Sequence, residues 1–249
     1  MGLTLEVCVD TGAGLDEAVA GGADRIELCA ALALGGLTPA AGLMAQAAGC
    51  PLPVMVMIRP RAGDFVWAEA EVGMMEAEIA ATRAAGLAGV VLGTSLPDGR
   101  LDVPVLKRLV AAAEGMDLTL HRAIDLAPDM GQALEAVIGL GFRRVLTSGG
   151  EKTAEAGAAR IAAVVTQATG RISIMPGFGG VPGKCADAER AWYCRTSRVM
   201  LDLAPGNGQG GGIGVRDGNG PANLGQAGSG VASGFGLKEA SRQVSGTGG

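Results

Sequence analysis

The sequence predicts an α/β fold, a TIM-type (β/α)8 barrel, from three observations. Short apolar, strand-like segments alternate with Ala- and Leu-rich, helix-like segments through the first 176 residues. The later strand-like segments begin about 28 residues apart, a usual length for one strand-plus-helix unit of a parallel barrel. The chain has 249 residues, the size of a single barrel domain.

Seven such strand-plus-helix units are recognisable. Helix-like segments carry acidic residues near their starts, as in residues 68–85. Three joints contain a glycine that can end a helix just before the next strand: G-G-A-D-R-I-E-L, A-G-L-A-G-V-V-L and L-G-F-R-R-V-L-T. A doubly wound open sheet is the alternative fold, because alternation alone does not prove closure. The predicted strands are residues 3–9, 25–30, 53–59, 89–94, 117–123, 144–148 and 171–175.

The eighth unit is missing or degenerate. After Pro176 glycine becomes roughly twice as frequent, and no further strand-plus-helix unit is recognisable. Glycine-rich stretches bury too little side chain to offset the cost of ordering the backbone. We therefore predict an incomplete barrel over residues 1–177 and a disordered tail over residues 178–249.

The sequence of the tail also suggests the hypothesis that its reading frame is shifted. When the codons of residues 183–201 are read one base later, codon degeneracy permits E-N-A-P-M-L-N-A-P-G-I-A-E-L-H-A-S-C. This string is typical of a helix, a glycine stop and a strand, which is the content of the missing unit. We interpret the tail as translated out of frame; the alternative is a genuine Gly-rich extension on an incomplete barrel.

Composition and charge exclude several classes of function. The net charge of −5 and the pI near 5.0 argue against a nucleic-acid or anionic-membrane partner, which would need clustered Lys and Arg. The N-terminus lacks the basic segment of a secretory signal, and the uncharged stretch 39–58 is interrupted by prolines, so a cytoplasmic protein is expected. Five cysteines without CxxC spacing indicate reduced thiols. The GxGxxG match at residues 206–211 lacks a preceding strand, so no nucleotide cofactor is predicted.

Two neighbouring predicted strands carry the same polar pattern. The first contains L-E-V-C and the second I-E-L-C. Side chains alternate along a strand, so Glu6 shares a face with Cys8, and Glu27 shares a face with Cys29. If both faces point into the barrel, the thiols lie nearer its C-terminal mouth and form a candidate metal site for Cu(I), which soft thiolates select. The alternative is that both cysteines are buried as small hydrophobes.

Other polar residues at predicted strand ends complete a candidate catalytic site. Buried Glu is rarely without a partner, and barrel active sites form where the strands end. The alternative is a buried ion-pair network that fixes the register of the barrel. The candidate catalytic residues are Glu6, Glu27, Arg59, His121 and Asp125. The candidate substrate-binding residues are Arg61, Asp64, Arg122, Thr147 and Ser148, the last two in an L-T-S-G-G turn whose N–H groups can meet a phosphate.

Six ordered motifs resemble those of the CutC family, named for copper homeostasis. They are L-E-V-C-V, G-G-A-D-R-I-E-L-C, G-G-L-T-P, M-I-R-P-R-A-G-D-F, L-H-R-A-I-D and R-V-L-T-S-G, and the resemblance runs from Leu3 to Gly177. It implies a TIM-type barrel, a cytoplasmic location, self-association and a role in copper handling. The copper-binding cysteines suggested for that family fall on Cys8 and Cys29. Its eighth strand, with an E-x-H pattern, is absent in frame.

Two functions are therefore open. In the first, the protein is a copper homeostasis protein of the CutC type that binds copper inside the cell. In the second, it is an enzyme of unknown reaction on a small polar or anionic substrate. There Arg59 and Arg61 would hold the anion, and His121 with Asp125 would shuttle protons. The sequence does not decide whether the protein is an enzyme.

Overall fold

The computed structural model describes residues 4–177 and the main chain of residues 198–202. These residues belong to the first of two compact units of the chain, residues 1–209; the second, residues 210–249, lies outside the described part. The strands are β1 Thr4–Val9, β2 Arg25–Leu28, β3 Val54–Met57, β4 Gly89–Leu92, β5 Asp117–Leu120, β6 Arg144–Thr147, β7 Ser173–Pro176 and β8 Arg198–Asp202. The helices are α1 Gly12–Ala20, α2 Ala41–Ala47, α3 Glu69–Ala84, α4 Val103–Ala112, α5 Met130–Gly139 and α6 Ala158–Ala168.

The first seven strands form a parallel sheet in chain order, each pairing with the next. A doubly wound sheet would reverse its strand order at a switch point, so this topology confirms the barrel-type prediction. Each predicted strand lies within three residues of an observed one at either end. Two short 3₁₀ turns, Leu32–Leu34 and Arg122–Leu126, follow β2 and β5.

The eighth strand differs from the expected barrel unit. β8 pairs with β1 in antiparallel register, Thr4 opposite Asp202 and Cys8 opposite Arg198, and its Cα atoms also approach β7. The sequence predicted a missing or degenerate parallel unit, and β8 lies inside the segment predicted to be disordered. The remaining tail, including the out-of-frame segment up to residue 197, falls outside the described residues.

Alternation along the strands sorts the side chains into two layers. Apolar residues such as Val7, Ile26 and Val56 are fully buried in the large cluster between the sheet and the helices. The residues between them face the bore, where Cys8 packs in a separate cluster with Leu146 and Met175. The L-E-V-C and I-E-L-C patterns therefore place their aliphatic residues under the helices and their acids and thiols inside the barrel.

Contacts across the bore show that the sheet is strongly curled. The Arg25 guanidinium of β2 reaches the Met175 sulfur of β7 at 3.1 Å. The Arg144 guanidinium of β6 reaches the Met55 sulfur of β3 at 3.4 Å. Strands three and five positions apart in the sheet order thus face one another across one interior.

Glycines end three of the helices as predicted. Gly22, Gly86 and Gly141 have φ values of 77°, 73° and 83°, a left-handed conformation that only glycine adopts at little cost. Each lies in the short joint that turns the chain from a helix into the next strand. Within the described part of the chain, no helix combines the length and hydropathy needed to cross a membrane.

Candidate functional site at the barrel mouth

A cavity of about 460 Å³ opens at the C-terminal end of the parallel strands. This is the end at which barrel enzymes build their active sites. Its polar lining residues are Cys8, Glu27, Arg59, His121, Arg122 and Asp125, all of them candidates from the sequence. Its apolar lining includes Leu32, Leu34, Met57, Phe65, Leu126 and Leu146.

The two thiols of the duplicated pattern converge on one carboxylate. Cys8 stands opposite Glu27 in the β1–β2 register, and its Sγ donates to Glu27 Oε1 at 3.2 Å. The Sγ of Cys29 donates to the same oxygen at 3.5 Å. Cys8, 4% exposed, lines the cavity beside Glu27, and Cys29 is fully buried behind them.

Both thiols are poor acids in this environment. Burial raises the pKa of Cys8 and of Cys29 well above the usual range, and the Glu27 carboxylate adds to the effect. Among residues 4–177, no three His, Cys, Asp or Glu side chains are grouped to hold a metal ion. A pair of sulfur ligands matches the chemistry of Cu(I), which accepts few soft ligands, more closely than that of structural Zn²⁺, which takes four.

Glu6 lies deeper in the bore and does not line the cavity. Its carboxylate is fully buried and forms an ion pair with Arg25 from the adjacent strand. Arg25 was not singled out from the sequence, although it stands two residues before Glu27 and therefore shares its face. The pair joins β1 to β2 beneath the cavity.

Arg59 holds the rim loops together. It is 7% exposed, and its guanidinium donates to the main-chain oxygens of Leu34, Gly36 and Gly63 at 2.9 to 3.1 Å. Its Cζ lies 5.1 Å from the centre of the Phe65 ring, and burial lowers its pKa. Within the described residues its Nε has no hydrogen-bond acceptor.

His121 is a buried, neutral imidazole. Its Nδ1 accepts a hydrogen bond from the Ala123 N–H at 3.2 Å, so the neutral ring carries its proton on Nε2. Burial lowers the pKa of His121 to about 3. In the described part of the chain Nε2 has no partner, and the ring packs against Phe65 with centroids 4.4 Å apart. With Nδ1 engaged, the neutral ring offers a hydrogen-bond donor at Nε2.

The Asp125 carboxylate binds to the L-T-S-G-G turn, whose N–H groups the sequence predicted to bind a phosphate. This carboxylate accepts from the N–H groups of Ser148 and Gly150 at 3.0 to 3.2 Å, and from the Thr147 hydroxyl at 2.5 Å. It also pairs with Arg122 at 2.8 Å. The donors of the L-T-S-G-G turn are therefore already directed at an internal anion.

Arg61 and Asp64 lie outside the cavity. Arg61 pairs with Asp64 at 2.9 Å and with Glu71 at 2.6 Å, and it stacks over the Trp67 ring at 4.8 Å. The side chains of Arg61 and Asp64 are 41% and 61% exposed, so they form part of the surface beside the mouth. Phe65, the aromatic residue between Arg59 and His121, was not identified as a site residue; its only signal was its place in the M-I-R-P-R-A-G-D-F motif.

The chain matches the model of the CutC family over residues 3–190. A CutC family protein of Rhizobium meliloti is 59% identical over 177 residues, which cover 71% of this chain and 72% of the relative. A CutC family protein of Sinorhizobium medicae is 59% identical over 208 residues, covering 81% of this chain and 85% of the relative.

Solved structures give the same fold. The structure of a copper homeostasis protein CutC from Streptococcus agalactiae is 31% identical with a TM-score of 0.65, over 68% of this chain and 84% of that one. A phosphonomutase from Burkholderia cenocepacia is 18% identical with a TM-score of 0.50, over 76% and 83% of the two chains. The second likeness concerns the fold alone.

Proposed function

Because the chain belongs to the CutC family, we propose that it acts in copper homeostasis and binds Cu(I) through Cys8 and Cys29. A solved relative is named as a copper homeostasis protein. The observation that carries the proposal is the approach of both Sγ atoms to one oxygen of Glu27, from adjacent strands. Two thiols held this way form a preorganised pair of soft ligands.

The cavity supports this proposal by providing an entry route. Cys8 lines the cavity, whereas Cys29 is fully buried behind it, so an ion entering from the mouth meets Cys8 first. Binding exchanges thiol protons for the metal, and thiolates are the binding form. Copper here is the cargo of the protein. We further propose that the protein works in the cytoplasm and self-associates, as its family resemblance implies.

An anaerobic Cu(I) titration against a competing chelator tests the proposal. We expect one equivalent to bind, and the double variant Cys8→Ser, Cys29→Ser to bind at least about tenfold more weakly, a loss of about 1.4 kcal/mol or more. The variant Cys50→Ser is the matched control, because Cys50 lies outside the mouth cavity and its neighbours are those of α1 and α2. Unchanged affinity in the double variant would exclude this site.

A second function, an enzyme acting on a small anionic substrate, is favoured by a separate observation. Arg59 Nε and His121 Nε2 are buried donors without acceptors among the described residues, and both residues line the mouth cavity. A ligand bound in the cavity could supply the missing acceptors. Incubation with a cell extract, followed by mass spectrometry, tests this function: we expect wild type but not His121→Phe to deplete a small anion.

A further inference from the structure

We infer that the mouth cavity binds a small monocarboxylate, whose carboxylate is held by Arg59 and His121 and whose apolar body lies against the leucines of the rim. The monocarboxylate would be the substrate of the enzyme proposed above. Its turnover rests on that proposed function, whereas its binding does not. Binding of the monocarboxylate requires no copper.

The charges around the cavity favour an anion at Arg59. Arg122 is paired with Asp125 at 2.8 Å, whereas the Arg59 guanidinium, within residues 4–177, donates only to main-chain oxygens. A buried cation without a counter-ion is costly. A ligand with one negative charge is therefore stabilised electrostatically more next to Arg59 than next to Arg122, which is already paired.

The available hydrogen-bonding groups are both donors. Arg59 offers Nε–H, and His121 offers Nε2–H because its Nδ1 is engaged by Ala123. Both side chains pack on the same ring, Phe65, at 5.1 Å and 4.4 Å from its centre. A ligand that satisfies both donors must supply acceptor atoms, and a carboxylate has two such oxygens.

A phosphate is disfavoured for two reasons. The N–H groups of Ser148 and Gly150, which would hold it, already donate to Asp125. A phosphate monoester carries nearly two negative charges and would meet the carboxylates of Glu27 and Asp125 in the same cavity. Arg59, which has no carboxylate partner among residues 4–177, matches the single charge of a carboxylate.

The rest of the lining defines the body of the ligand. Leu34 and Leu126 are 57% and 50% exposed, and both line the cavity. Leu32 and Leu146 line it further in. An alkyl or aryl group bound here would cover these side chains, and about 460 Å³ suits a small organic molecule.

Binding of three matched probes, measured by isothermal titration calorimetry, tests the inference. Benzoate carries the carboxylate, benzamide has the same shape without the charge, and phenyl phosphate carries the larger dianion. We expect benzoate to bind at least about tenfold more tightly than either of the others. Acetate and isobutyrate are titrated as well, because they would bind if the cavity is too small for an aryl ring.

Variants locate the site. His121→Phe keeps a ring against Phe65 but removes Nε2–H, and we expect its affinity for benzoate to fall at least about tenfold. Arg108→Gln is the control and should bind as wild type does, since Arg108 pairs with Glu69 and Glu76 on the surface of α3. A thermal melt of each variant confirms that it is folded.

Three results would overturn the inference: equal binding of benzamide and benzoate, wild-type binding by folded His121→Phe, or no saturable binding of any of the three carboxylates. If benzoate binds as expected but no metabolite is turned over, the enzyme function fails and the binding inference stands. The copper titration with the cysteine variants is unaffected by either outcome.

Discussion

The main-chain N–H of Ala123 donates a hydrogen bond to Nδ1 of His121 at 3.2 Å. This bond fixes the tautomer of the imidazole and leaves its only proton on Nε2. Because the ring is also buried, its pKa falls from the ordinary value near 6.5 to about 3. We therefore expect His121 to be neutral near pH 7.

The depressed pKa predicts that stability decreases in acid. Below pH 6.5 an unfolded chain protonates its histidine while the folded protein does not, so stability is complete above that pH and declines as the pH falls toward 3. At pH 4.5 the loss is roughly 3 kcal/mol relative to neutral pH. Urea unfolding between pH 4 and 7.5 measures it.

The matched control for that experiment is His121→Gln, which should lack this part of the pH dependence. The chain contains one histidine, so its imidazole gives a single set of ¹⁵N resonances. We expect an Nε2-protonated neutral ring from pH 7.5 down to pH 4.5. An imidazole that titrates near pH 6.5 would contradict the buried arrangement.

The raised thiol pKa values predict slow alkylation of Cys8 and Cys29. The thiolate is the reactive form, and burial beside Glu27 disfavours it in both residues. At pH 7.5 we expect N-ethylmaleimide to label the partly exposed Cys50 at least about tenfold faster than either, as measured by peptide mass spectrometry. Equal labelling of the three cysteines in the folded protein would show that the bore is open to reagents.

The fold was largely predictable because it depends on local periodicity. Apolar residues at alternate positions of β1 and β2 pack under the helices, which forces Glu6, Cys8, Glu27 and Cys29 into the bore. Which side chains of β1 and β2 point into the bore can therefore be predicted from each strand by itself. The convergence of both thiols on Glu27 follows from the parallel register of two consecutive strands.

Contacts between distant strands were not predictable in the same way. The Met175 sulfur meets Arg25 because the sheet curls, and no pattern in either segment encodes that approach. The filling of the L-T-S-G-G turn by Asp125 likewise depends on how closely the ends of β5 and β6 lie together. The antiparallel direction of β8 has no signal in the composition of the tail.

Asp125→Asn should destabilise the protein markedly. The carboxylate is 5% exposed and accepts from Arg122, Thr147, Ser148 and Gly150, and an amide replaces one acceptor oxygen by a donor facing donors. We expect a loss of roughly 2–4 kcal/mol in the free energy of unfolding, measured with urea. Asp98→Asn, in an exposed pair with Arg100, is the control and should change little. A loss no larger than that of the control would mean that the turn holds without Asp125.

Gly93→Ala should displace His121. A Cβ built at Gly93 would lie 2.5 Å from His121 Cε1 and 3.0 Å from the Ala123 Cβ, so the imidazole must move. We expect roughly 1–3 kcal/mol of destabilisation and changed His121 ¹⁵N shifts. Gly73→Ala is the control, because its Cβ would meet nothing within 4 Å on helix α3, and it should be neutral or stabilise by up to about 1 kcal/mol. Unmoved imidazole resonances in folded Gly93→Ala would refute the predicted clash.

The antiparallel β8 gives the out-of-frame hypothesis a structural test. In a complete parallel barrel the strand beside β1 runs parallel to it, whereas β8 pairs with β1 in the opposite direction. If the tail is out of frame, the gene read one base later from the codon of Gly183 encodes a helix, a glycine and a strand. A chain rebuilt with that reading should melt roughly 5–10 °C higher, because a parallel strand can then pair with both β1 and β7. A stop codon within the shifted reading, or a rebuilt chain that melts no higher than the present one, would remove the hypothesis in favour of a genuine Gly-rich extension.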